Sequence, residues 1–147
     1  MTRILVIANE TVEDSALRRA IRSRVGGDRA EVLVIAPALN SRLRHWVSDE
    51  DEARAAAAAR VRNCLDRLAA AGIRARGLVG DSDPLQAIAD GLRLFSADAL
   101  VISTHPEQRS HWLARDLVTR ARARFSLPIV HVVAGDQDEV LSRAAGF

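Results

Sequence analysis

Arg3–Ala8, Glu31–Ala36, Ala99–Ser103 and Pro128–Val133 each carry a short, almost unbroken apolar run rich in Val, Ile and Leu. Such runs are too short for helices. Because they do not alternate with polar residues, they read as strands covered on both faces. A chain with several of them is confined to layered α/β folds, since helices packed on both sides are what cover a sheet in this way. A fifth stretch, Ile73–Val79, does alternate, setting Ile73, Ala75, Gly77 and Val79 against Arg74, Arg76 and Leu78. It reads as a half-exposed strand at a sheet edge.

Helical patterns separate these runs. Thr11 is placed to cap a helix that buries Leu17, Ala20 and Ile21 and stops at Gly26-Gly27. Ser48 or Asp49 caps a long helix with an apolar stripe of Ala57, Val61, Cys64, Leu65 and Leu68, ended by Gly72. Cys64, the single cysteine, sits on that stripe and reads as a small core residue. Asp83 at the N-cap, Pro84 at N1 and Gln86 at N3 mark a third start, with Leu85, Ile88 and Leu92 inward. Ser110 is expected to cap the last helix, roughly His111–Phe125. That helix buries Leu113, Leu117, Ala121 and Phe125 and turns Arg115, Arg120, Arg122 and Arg124 outward. Ala38–Ser48 carries Leu39, Leu43, Trp46 and Val47 at helical spacing and is either a packed connector or a lid over a site.

The order is therefore βαβαβαβαβ in one domain over residues 1–134, followed by a tail at 135–147. Right-handed crossovers make this a doubly wound, mostly parallel sheet of five strands with helices on both faces. Ligands bind such sheets at the carboxyl ends of the strands, where the winding reverses. If the first strand is central, the crevice is lined by Asn9, Glu10 and Thr11 and by Ser103–Ser110, a loop that contains no glycine.

Composition narrows the chemistry. All 21 Lys and Arg positions of the 147-residue chain are arginine, which removes Schiff-base lysines and the phosphate-binding lysine of P-loops. The arginines are scattered among 19 acids along the helices instead of forming a stripe with interleaved aromatics, so no nucleic-acid partner is expected. No apolar run approaches the ~20 residues of a membrane helix, and the N-terminus lacks a signal-peptide pattern. A cytoplasmic protein without a membrane partner is expected.

Several stretches, taken in order, resemble the universal stress protein family. They are Ile4-Leu5-Val6-Ile7-Ala8-Asn9, the Gly80…Pro84…Ile88 turn and helix, Ser96-Ala97-Asp98-Ala99-Leu100-Val101-Ile102, and Ser126-Leu127-Pro128-Ile129-Val130-His131-Val132-Val133. The resemblance covers about Arg3 to Val133. It implies an adenine-nucleotide alpha-hydrolase-like fold with strand order 3-2-1-4-5, and often a homodimer joined along the fifth strand, here residues 128–133. Nucleotide-binding members carry Gly-x-x-Gly, nine residues, then Gly-Ser or Gly-Thr after strand four, with an aspartate ending strand one. This chain departs at each point. Asn9 stands where the aspartate would be, Ser103-Thr104-His105-Pro106-Glu107-Gln108-Arg109 replaces the first glycines, and Arg115-Asp116 falls on the final pair counting back from Pro128. Glycines allow close backbone approach to phosphate, Pro106 removes a donor, and Glu107 and Asp116 bring negative charge.

The expected function is therefore a non-enzymatic binding or regulatory domain of the stress-protein type, taking a small anionic ligand or a protein partner. Classical ATP binding is lost or altered, and no obligate cofactor is expected. One alternative is an ATP-binding member in which Arg109 and helix N-terminal amides hold the phosphates. Another is a small α/β nucleotide hydrolase or transferase. The candidate crevice residues are Asn9, Glu10, Thr11, Thr104, His105, Arg109, Ser110, Arg115 and Asp116. Arg109 reads as a phosphate or carboxylate ligand less readily than as a solvated arginine or one paired with Glu107. His105, Glu107 and His111 do not form a convincing metal set, and no catalytic or metal residue is assigned. Trp112 and Trp46 wall a small pocket or simply pack. Ile129, His131 and Val133 are the expected dimer contacts along the last strand.

Overall fold

The computed structural model describes residues 1–8, 15–27, 29–38, 49–104 and 108–133, with residues 15, 49–50 and 108–115 described at the level of the backbone. Asn9, Glu10, Thr11, His105, most of the 38–48 segment and the 135–147 tail lie outside the described residues. The elements run β1 (Thr2–Ala8), α1 (Ser15–Val25), β2 (Ala30–Pro37), α2 (Asp49–Ala70), β3 (Ala75–Gly80), α3 (Pro84–Leu94), β4 (Ala99–Thr104), α4 (Gln108–Arg124) and β5 (Ile129–Val133).

The five strands form one sheet in the order β3-β2-β1-β4-β5. Every pairing is parallel, so the sheet is wholly and not merely mostly parallel. Strand β1 is central, and its Ile4, Leu5, Val6, Ile7 and Ala8 are fully buried, which is why its run shows no polar alternation. Alternation along the strands divides the core in two. Ile4, Val6, Val32, Val34 and Val101 meet Leu17 and Ile21 of α1 and Ala57, Val61, Cys64 and Leu68 of α2. Leu5, Ile7, Leu33, Ile35, Leu100 and Ile102 meet Ala87 and Ile88 of α3 and Leu117, Val118 and Ala121 of α4. Winding reverses between β1 and β4, whose starts are tied together: the Asp98 N–H donates to the Arg3 carbonyl at 2.7 Å, and the Arg3 N–H donates to Asp98 Oδ2 at 2.8 Å.

Three local expectations need correction. The Ile73–Val79 strand begins later, at Ala75, because Ile73 closes α2 instead: its N–H donates to the Leu68 carbonyl at 2.8 Å while Gly72 takes φ +80°. At the start of α3, Asp83 is the N-cap and accepts from the Leu85 N–H at 3.0 Å, as expected. Gln86 does not return to Asp83, however; it donates to Asp90 Oδ1, and Asp81 Oδ1 takes the Asp83 N–H instead. Helix α4 starts at Gln108, so Ser110 lies inside its first turn and is not the cap. Gln108 and Arg109 are both good helix formers, and nothing in their propensity delays the start to residue 111.

Candidate functional site

The switch point lies at the carboxyl ends of β1 and β4, where Ala8 pairs with Ser103. Here the otherwise apolar strand β4 ends in two polar residues. Ser103 and Thr104 are each 0% exposed, and they are the buried polar side chains of the described core. Alternation sends them to opposite faces. Thr104 follows Leu100 and Ile102 toward α3 and α4, whereas Ser103 follows Val101 toward α1 and α2.

The two hydroxyls have different fates. Thr104 Oγ1 shares a hydrogen bond of 2.8 Å with His131 Nε2 of the adjacent strand β5. Ser103 Oγ has no hydrogen-bond partner among the described residues. A buried hydroxyl left unpaired costs about 1–3 kcal/mol relative to a satisfied one. An alanine at position 103 would avoid that cost, so the serine is a local concession of stability at the switch point.

A positive group addresses the neighbouring ends of β1 and β2. Arg60, midway along α2, donates through Nη1 to the Ala8 carbonyl at 3.3 Å and to the Pro37 carbonyl at 3.2 Å. The last carbonyls of β1 and β2 have run out of ladder partners, and the guanidinium supplies donors to both. Sequence reading missed both Arg60 and the distinction between Ser103 and Thr104. Arg60 lies among many helix arginines, and no periodicity separates it from the solvated ones. The one usable signal was that Ser103 is a polar residue continuing a buried strand.

Of the expected crevice residues, Thr104 lies at the site, buried and paired with His131. Asn9, Glu10, Thr11 and His105 lie outside the described residues; Arg109, Ser110 and Arg115 are placed on α4 by their backbone. Asp116 is exposed about two turns into α4 and pairs with Arg120 at 3.6 Å. No group of three or more His, Cys, Asp or Glu side chains converges to hold a metal among the described residues.

An open groove of about 970 Å³ lies at the opposite end of the sheet, lined by Arg22, Arg29, Arg74 and Arg76 over Ile21, Val25 and Ile73. Helices α1 and α2 both end there, and Arg22 donates to the Ala71 carbonyl just beyond α2. Arginine is the residue type that suits the partial negative charge of helix C-termini, so this basic lining has a structural cause.

Comparison with solved structures places the fold. The chain is similar to a universal stress protein from Archaeoglobus fulgidus (TM-score 0.59, 17% identity, covering 90% of this chain and 93% of that one). It is similar also to a universal stress protein family protein from Arabidopsis thaliana with AMP bound (TM-score 0.58, 10% identity, 94% and 95% covered). A third, from the universal stress protein family of Burkholderia pseudomallei, aligns with TM-score 0.52 at 15% identity, covering 89% and 95%. The fold is that of the universal stress proteins. No family model and no curated protein matches the sequence. The universal stress protein fold accounts for the strand order 3-2-1-4-5 and for the reversal of winding between β1 and β4. No helix among the described residues is long and apolar enough to cross a membrane.

Proposed function

We propose that this chain is a universal stress protein-like binding and regulatory domain of the cytoplasm that takes a small anionic ligand in the crevice between β1 and β4. It works without catalysis and as a homodimer through β5. The observation that carries the ligand reading is the buried Ser103 hydroxyl at the switch point, without a hydrogen-bond partner among the described residues. The likeness to an Arabidopsis protein with AMP bound makes adenine nucleotides the first ligands to try. Against the classical triphosphate mode stands the loop from Ser103 to Ser110, which has no glycine and includes Pro106. Close approach of backbone amides to phosphate is what glycines allow, and a nucleotide here would need other donors.

Calorimetric titration of the purified protein with AMP and ATP, each with and without Mg²⁺, tests the reading. The expected result is binding of the monophosphate with little or no gain from the two further phosphates. Much tighter binding of ATP would restore the classical mode and overturn the altered one. Steady turnover of ATP would overturn the non-catalytic reading.

A further inference from the structure

We infer that Arg60 is a positioning residue for the proposed crevice: its guanidinium replaces a ladder rung that Pro37 deletes between β1 and β2, and so fixes the strand ends from which the crevice loops leave. The inference rests on the crevice reading and adds the residue that holds the crevice in shape.

The missing rung follows from the register. Thr2 of β1 lies opposite Ala30, and its N–H donates to the Arg29 carbonyl at 2.7 Å, so the even-numbered residues of β1 address β2. In a parallel ladder each of their carbonyls accepts from the residue one beyond its register partner. Carried up the strand, the pattern makes residue 37 the donor for the Ala8 carbonyl. Residue 37 is proline and has no N–H. The β1–β2 register accordingly stops at Ile7 and Ile35. On either side the ladders run further, β1 with β4 to Ala8 and Ser103, and β2 with β3 to Pro37 and Gly80. The opening is confined to one seam of the sheet.

Arg60 spans that seam. Its Nη1 donates to the Ala8 carbonyl at 3.3 Å and to the Pro37 carbonyl at 3.2 Å, one acceptor from each strand. Helical side chains lean toward the helix N-terminus. Helix α2 begins at the carboxyl end of the sheet, so an arginine midway along it reaches back to the strand ends. Arg60 has a further partner besides these carbonyls, and its guanidinium is a held brace and not a free charge.

A carbonyl shares a rigid peptide plane with the next N–H. Holding the Ala8 oxygen therefore orients the peptide through which the chain leaves β1. Holding the Pro37 oxygen orients the peptide through which it leaves β2, and the Ala38 N–H of that peptide is held from the other side by the Gly80 carbonyl at 3.2 Å. One side chain sets both departures.

The test is a double-mutant cycle read by AMP affinity. Arg60→Met keeps an unbranched apolar stem and removes the donors, and Pro37→Ala gives residue 37 back its N–H. Wild type is expected to bind AMP in calorimetry, and Arg60→Met to bind it at least about fivefold more weakly, as for a lost hydrogen bond to a charged group. In the Pro37→Ala background the same substitution is expected to cost less than about twofold, because a backbone rung now closes the seam. The further partner of Arg60 is lost in both backgrounds alike, so the rung is what separates them. Amide exchange supplies a readout without ligand: the Ala38 N–H is expected to exchange faster in Arg60→Met and to recover in the double variant. If Arg60→Met does not fold, Arg60→Lys carries the same cycle, with smaller losses in the same pattern.

If Arg60→Met binds AMP as wild type does, the inference fails while the crevice reading stands. Equal losses in the two backgrounds would mean that Arg60 acts otherwise than through the rung, and they overturn the inference, as does an Ala38 amide indifferent to residue 60. If wild type binds neither AMP nor ATP, the crevice reading fails and the inference falls with it.

Discussion

At the scale of single residues, this chain shows how much depends on where one hydrogen bond goes. Asp83 illustrates a local bond legible in advance. Its carboxylate accepts from the Leu85 N–H, Pro84 occupies the first helical position, and Asp81 covers the Asp83 N–H. Replacing Asp83 by alanine frees an orphan donor at the start of α3, and urea denaturation should show a loss of about 1 kcal/mol. Ser103 and Arg60 were not legible in the same way. A serine at a strand end looks the same in sequence whether its hydroxyl is paired, like that of Thr104, or open. An arginine in mid-helix looks solvated until the strands whose carbonyls it reaches are in place. Gln86 is the intermediate case. Its spacing fits a capping box, but Asp90 one turn on competes for the same amide and wins.

At the scale of elements, glycines set how closely helices lie on the sheet. A Cβ on Gly80, at the end of β3, would stand 2.6 Å from Ile35 Cγ2 and 3.0 Å from Ala87 Cβ of α3. Both atoms are fixed by short, stiff side chains, so α3 must move to admit a methyl group. Gly80→Ala should therefore destabilise the fold by about 1–3 kcal/mol in equilibrium unfolding, although alanine is otherwise the better residue for order. The positive φ of Gly26, Gly27 and Gly72 at the ends of α1 and α2 was readable, because a glycine after an apolar stripe is a stop signal whatever surrounds it. The tight contact at Gly80 was not readable, because it depends on the distance between β2 and α3.

At the scale of the whole molecule, β5 is an edge strand of the sheet among the described residues. The Pro128 carbonyl accepts from the Leu100 N–H at 2.9 Å, so by alternation Val130 and Val132 address β4 while Ile129, His131 and Val133 turn their backbone groups outward. Arg122 donates at 3.4 Å to the outward Ile129 carbonyl, a weak, exposed bond that a partner strand would displace. If the proposed dimer forms along this edge, Val133→Pro removes one outward donor and leaves the ladder to β4 intact. Light scattering should then show a dimeric wild type and a monomeric or weakened variant with an unchanged far-ultraviolet spectrum. A wild type that stays monomeric at high concentration overturns the dimer.

By itself the sequence determined the types of the elements, their order, their buried faces and most of their stops. These rest on periodicity and caps, which act between residues a few positions apart. It did not determine the strand order, which entered only through resemblance and which the sheet pairing shows. Nor did it determine which polar groups are satisfied at the switch point. Those outcomes depend on contacts such as Thr104 with His131, 27 positions apart, and Arg60 with Ala8, 52 apart. Only when the sheet assembles do β1, β2 and β4 end side by side, and only then does one buried serine lack the partner that its neighbour has.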